Sequence, residues 1–181
     1  YFSRNCTVDI LMIVAISVLV TPIHFASASL PTAGSLIMTV MTIVVLAYME
    51  ELGFRGYPLR TLIADLGAWG AQALVAVAFG LCHILFGWSW QQVVVGVLPS
   101  ALLFGAVAQA SGGLAMPTGV HAALNFVRVA TGETATPGLW TIEIDQHGAS
   151  ELSTWAPVIG PFVTLLTTAA VWGVHWRRSR G

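Results

Sequence analysis

Residues 66–87 read LGAWGAQALVAVAFGLCHILFG, a stretch without a single Asp, Glu, Lys or Arg. A soluble amphipathic helix of that length keeps a charged face, whereas a helix apolar on all sides needs hydrocarbon or a large core around it. The stretch opens a longer one. No charged residue occurs between Asp65 and Arg128, between Asp9 and Glu50, or between Glu151 and Arg177. A membrane span takes about 20 apolar residues. The first of these gaps in chain order holds two spans, the middle one three and the last one a single span. The expected spans are 9–27, 34–50, 69–87, 92–109, 114–130 and 155–176. All are read as helices, because an open strand cannot satisfy its backbone in lipid. The expected fold class is all-α: a polytopic transmembrane bundle of about six spans forming one membrane-embedded domain over 1–181.

Composition supports the same reading. Of 181 residues 56% are hydrophobic and 8% charged, against about 25% charged in a soluble domain. A soluble domain of this length has too little interior for so much apolar surface. The seven basic residues are all Arg, the net charge is −1 and no basic stripe exists, which argues against nucleic-acid binding. No Gly-rich phosphate loop precedes a helix, which argues against nucleotide chemistry. Cys6 and Cys82 have apolar neighbours and no ligand or disulfide spacing, so both read as small core residues. No signal peptide is recognisable, and a start at Tyr1 reads as an N-terminally incomplete chain.

Trp88, Trp90, Trp155, Trp172 and Trp176 fall near span ends, as interfacial aromatics do. The arginines predict orientation. Arg177, Arg178 and Arg180 are expected in the cytoplasm, with Arg4, Arg55 and Arg60 on the same side. The acidic 131–154 loop then lies outside, and only Arg128 does not fit. The expected location is the plasma membrane, with lipid as the surrounding partner.

Ionisable groups inside a membrane are costly and mark function by default. Glu50-Glu51-Leu52-Gly53-Phe54-Arg55 ends an apolar run. Glu51 and Arg55 stand at i,i+4 and can pair on one face. Glu50 points about 100° away, free for other work. The plain alternative is a charged helix end at the headgroups. His83 lies inside a charge-free span, where a hydrogen-bonded core histidine is the alternative. His121 and Asn125 share one face at i,i+4, where an interhelical hydrogen bond is the alternative. His24, His147 and His175 have no partner at a recognisable spacing and read as incidental. Glu50 and His83 each stand about 16 residues from a turn near Asp65-Leu66-Gly67-Ala68. A helical hairpin sets them level, provided the helix continues past Glu50 to about Asp65, bent at Pro58.

Glu, His, His and Asn form a hydrolytic set. A carboxylate and a histidine can hold a water and take its proton. A second histidine and an amide can donate to the oxyanion that follows. No Ser or Cys nucleophile is needed, and no His-Glu-x-x-His zinc motif is present. A divalent metal such as zinc stays open as cofactor, with Glu50, His83 and His121 as three candidate ligands, though this chemistry does not require one.

The motifs Glu50-Glu51-Leu52-Gly53-Phe54-Arg55, Phe79-Gly80-Leu81-Cys82-His83 and His121-Ala122-Ala123-Leu124-Asn125 together resemble the signatures of the CAAX-protease and bacteriocin-processing (CPBP, Abi) family of intramembrane proteases. The resemblance covers about 34–130, the catalytic core. It implies that Glu50 and His83 activate water, that His121 and Asn125 form the oxyanion site, and that Glu51 and Arg55 brace it. It also implies an endopeptidase acting on a membrane-associated or prenylated (CAAX-type) protein or peptide. The alternative is a non-catalytic immunity or scaffold protein of the same fold. A proton-coupled transporter would show inverted repeats, which the sequence lacks.

Overall fold

The computed structural model describes residues 24–27, 32–130, 140–143 and 146–179. In chain order the elements are β1 (His24–Ser27), α1 (Ala33–Glu51), a π-helical segment (Leu52–Gly56) and α2 (Tyr57–Leu85). Then come α3 (Trp90–Gln92), a second π-helical segment (Val93–Val97), α4 (Leu98–Ser111), α5 (Ala115–Ala130), β2 (Trp140–Glu143) and α6 (Gln146–Ser179). Three stretches among the described residues are long and apolar enough to cross a membrane: Ala33–Leu85, Trp90–Ser111 and Pro157–Arg177. The chain is an integral membrane protein built of helices.

The first stretch is folded in two. Gly67 interrupts α2 with φ 68° and ψ 172°, in a region that glycine enters without steric cost. The arms pack in mirror order about it: Leu59, Ala71 and Val75 share a cluster with Phe54, Leu62 and Ile63, and the Phe54 and Phe79 rings meet edge to face at 5.0 Å. The expected hairpin is present, with its turn where the spacing put it.

Both π-helical segments end two residues before a proline, Pro58 and Pro99. Proline lacks the N–H and its ring collides with the carbonyl four residues back. A widened turn lets the helix continue where an α-helical turn would break. The bend expected at Pro58 is thus a π turn, and it carries the buried Arg55.

Packing proceeds pairwise. α1 meets α5 through Ile43, Ala47 and Ala122. The second arm of α2 meets the second π segment and α4 through Ala76, Phe79, Val93, Val97 and Ala101. Gly80 makes that approach close, since a Cβ there would lie 2.9 Å from a Leu98 methyl. Outward positions are apolar too: Met38 is 67% and Leu85 85% exposed. Such a surface is unfavourable in water and matched by lipid.

Several expectations need correction. His24–Ser27 and Trp140–Glu143 form a two-stranded antiparallel ribbon, so the last residues of the expected span 9–27 are strand. They pair with the β-prone Trp140-Thr141-Ile142 instead of continuing a helix. The rest of that span lies outside the described residues. α6 starts at Gln146 rather than near 155, which shortens the expected loop. Trp172 packs inside the bundle instead of facing lipid. It is 6% exposed, stacks on Trp69 at 4.4 Å and donates from Nε1 to Gln72 Oε1 at 3.1 Å.

Of the arginines expected on one side, Arg55 is instead buried inside the bundle, and Arg60 and Arg177 stand at a common end. Arg60 donates to the Gly112 carbonyl in the α4–α5 turn at 3.1 Å. The Trp69–Trp172 stack brings the Arg177 end of α6 beside the Gly67 turn. One face of the bundle therefore carries Arg60 and Arg177. Arg128 lies on the opposite face, with its guanidinium 4.7 Å from the Trp88 ring.

Candidate active site

Glu51 is the centre of the site. It ends α1 fully buried, 0% exposed, and Arg55 follows at 1%. Arg55 Nη1 donates to Glu51 Oε1 at 3.2 Å, and His121 Nδ1 donates to the same oxygen at 2.9 Å. His121, 70 residues from Glu51 in sequence, is thereby locked to Arg55 through one carboxylate. Arg55 Nη2 also donates to the Ala101 carbonyl at 3.1 Å. Its guanidinium lies 4.5 Å from the Phe79 ring centre and 5.5 Å from that of Phe104. Flat aromatic faces suit a buried guanidinium because its charge meets their negative quadrupole. The His121 ring stacks on Phe104 at 4.5 Å and 15°. The charged trio is thus boxed by aromatic walls.

With Nδ1–H engaged by Glu51, Nε2 is the His121 nitrogen left to face the site. It lies 3.7 Å from Glu50 Oε2, too far for a direct hydrogen bond. That oxygen is itself buried and has no hydrogen-bond partner, although the Glu50 side chain as a whole is 39% exposed. Glu50 and Glu51 therefore diverge as the helical arc requires: one inward on Arg55, the other at the edge of the cluster.

His83 stands beyond Phe79. Its Nδ1 lies 2.9 Å from the Phe79 carbonyl, its ring 4.5 Å from the Phe79 ring and 5.2 Å from that of Trp88. No hydrogen bond or ion pair joins it to Glu50 among the described residues. Asn125 is half-buried one turn beyond His121. The structure thus gathers Glu50, Glu51, Arg55 and His121 into one cluster, with His83 across one aromatic ring and Asn125 one turn along α5. Among the described residues no three His, Cys, Asp or Glu side chains are gathered closely enough to hold a metal ion. Glu50 and His121 approach one another, and His83 stands apart from them.

Sequence reasoning missed the walls. Phe79 stands in the sequence only as a motif position, yet it touches Arg55, His83 and His121. Phe104 carried no signal at all. Gln72, a polar residue in a charge-free span and a signal legible in the sequence, is 2% exposed. Its Nε2 donates to the Leu102 carbonyl, and its Oε1 accepts from Gln109 Nε2 at 2.9 Å and from Trp172. Gly105 makes room for it: a Cβ there would sit 3.1 Å from the Gln72 side chain.

Residues 31–127 match the family model described as Type II CAAX prenyl endopeptidase Rce1-like. The matched region runs from the start of α1 through Asn125 and holds every residue of the cluster. No curated protein and no solved structure matches the chain.

Proposed function

The chain belongs to the Type II CAAX prenyl endopeptidase Rce1-like family, and on that premise we propose that it is an intramembrane endopeptidase cleaving a membrane-associated or prenylated protein or peptide. One observation carries the catalytic reading: His121 is fixed through Nδ1 by a buried Glu51, while its Nε2 faces a buried, unpartnered oxygen of Glu50.

In the proposed reaction Glu50 is the general base and His83 helps to hold the water. The water attacks the scissile carbonyl carbon as its proton passes to Glu50. The carbonyl oxygen becomes an oxyanion, held by the Asn125 amide and by His121 Nε2–H. That role asks for protons on both His121 nitrogens, Nδ1–H being held by Glu51. The intermediate collapses, the C–N bond breaks, and Glu50 returns its proton to the leaving amine. Glu51 and Arg55 touch no substrate in this scheme; they position His121. Water activation is assigned to Glu50 and His83 without a metal, and a divalent metal held by Glu50, His83 and His121 is the alternative that a chelator tests. The protein is placed in the plasma membrane with its Arg60 and Arg177 face cytoplasmic. Glu50 and His83 stand about 16 residues from the Gly67 turn, roughly 24 Å along each arm at 1.5 Å per residue, so the site lies nearer the Trp88 face.

The test is Glu50→Gln in purified protein, reconstituted in vesicles with a prenylated peptide. The substitution keeps shape and removes the base. Cleavage is expected to vanish while the melting temperature holds, and wild-type cleavage should survive a chelator. A Glu50→Gln protein that cleaves like wild type removes the base assignment. Loss of wild-type cleavage on chelation, restored by zinc, removes the metal-free one. The scaffold alternative gains if neither protein cleaves any membrane peptide tested.

A further inference from the structure

A second polar site lies on the other side of Arg55. A cavity of about 200 Å³ opens between the first arm of α2 and α4. Its aliphatic walls are Leu59 and Ile63, and its polar lining is Arg55, Arg60, Gln109 and the Gly112 backbone. No carboxylate lines it. Arg55 has Nε buried without a hydrogen-bond partner, although its Nη atoms are engaged. Arg60 is exposed and bonded to a neutral carbonyl, and it makes no ion pair among the described residues. Arg55 is neutralised by Glu51, so Arg60 supplies the net charge of the cavity.

We propose that this cavity binds the phosphate of an anionic membrane lipid. Arginine's planar fork matches phosphate oxygens, and basic pockets between spans suit anionic headgroups. Depth favours a lipid over a soluble anion. Arg60 is seven residues from the Gly67 turn, about 10 Å along the arm, and the α4–α5 turn closes over it at Gly112. Exposed Trp69 and Trp176 and the exposed Arg177 mark the same end of the bundle, the composition of a headgroup layer. Apolar walls below the arginine then meet the acyl chains. The cavity shares Arg55 with the proposed peptidase site but is lined by none of Glu50, His83, His121 or Asn125, so the lipid reading does not rest on the peptidase one.

The test is native mass spectrometry of the full chain released from detergent, with phosphatidylglycerol, phosphatidylcholine or inorganic phosphate added. Phosphatidylglycerol should be retained in preference to phosphatidylcholine. Arg60→Gln should lower its retention about fivefold, the scale of one arginine at an anionic surface. Arg60→Lys should lower it less, and Arg128→Gln, on the opposite face, should leave it unchanged. Equal retention by Arg60→Gln and wild type overturns the site. Displacement of the lipid by equimolar inorganic phosphate overturns the lipid assignment and leaves a free-anion site. Arg60 is exposed, so failure to fold is not expected, and a melting curve for each variant confirms that binding alone is compared.

Discussion

Two buried polar networks cross this bundle, one charged and one neutral. Glu51, Arg55 and His121 join α1, the first π segment and α5. Gln72, Gln109 and Trp172 join α2, α4 and α6. Both satisfy polar groups that hydrocarbon cannot. They differ in closure. The neutral network uses Gln72 Oε1 twice and its Nε2 once, and ends on carbonyl and indole groups. The charged one leaves Glu50 Oε2, Glu51 Oε2 and Arg55 Nε unpartnered. A network built only to hold helices together would have been completed. Under the proposed function the open Glu50 Oε2 is where the reaction takes place, while the neutral network, closed at Gln72 among the described residues, acts as a staple.

The comparison predicts unequal costs. Replacing Glu51 by Ala takes from Arg55 and from His121 Nδ1–H the buried carboxylate that both engage, and leaves Glu50 as the remaining carboxylate of the cluster. Breaking one partner of a buried pair costs about 3–5 kcal/mol. Glu51→Ala and Arg55→Ala should therefore show the largest loss of stability, read as a fall in melting temperature or in folded yield. Wild-type melting in either variant would remove the brace from the argument.

Asn125→Ala should sharpen the functional half. It leaves Glu50, His83 and the trio in place and removes one oxyanion donor, which costs about 10²–10³ in rate. Melting should be unchanged, because Asn125 is only half-buried. A rate within twofold of wild type would assign the oxyanion to other donors.

Which parts of this were legible in sequence follows from distance along the chain. Glu51 and Arg55 are one turn apart, so helical geometry alone paired them. The Gly67 hairpin was legible because Glu50 and His83 stand symmetrically about it, and Pro58 announced a bend. Pro99 sits in the same relation to the second π segment, a bend the sequence reading did not include. The Glu51–His121 bond spans 70 residues, and no local rule reaches that far. Motif order placed Glu50 with His83, whereas the structure sets Glu50 nearest His121 and puts the Phe79 ring beside His83. Phe104 looked like any apolar residue, because which face of α4 meets the guanidinium is a matter of tertiary packing. The β1–β2 ribbon was hidden for the same reason: four residues at the end of an apolar run read as helix until their partner strand is known.

The smallest expected effect tests the neutral network. Trp172→Phe removes one indole N–H from Gln72 Oε1 but keeps an aromatic ring against Trp69. Gln72 Oε1 retains the Gln109 donor, so no buried acceptor is stranded. The loss should be that of one neutral hydrogen bond, about 0.5–1.5 kcal/mol. Cleavage per folded molecule should be unaffected, since Gln72 and Trp172 touch none of Glu50, His83, His121 or Asn125. Removing the acceptor instead, by Gln72→Leu, strands the Gln109 amide and the indole and should cost more than Trp172→Phe. If Trp172→Phe lowered melting as far as Glu51→Ala, charge would not be what separates the two networks. If it lowered the rate at full folding, the staple would belong to the site, and the division drawn from the open ends of the charged network would have to be given up.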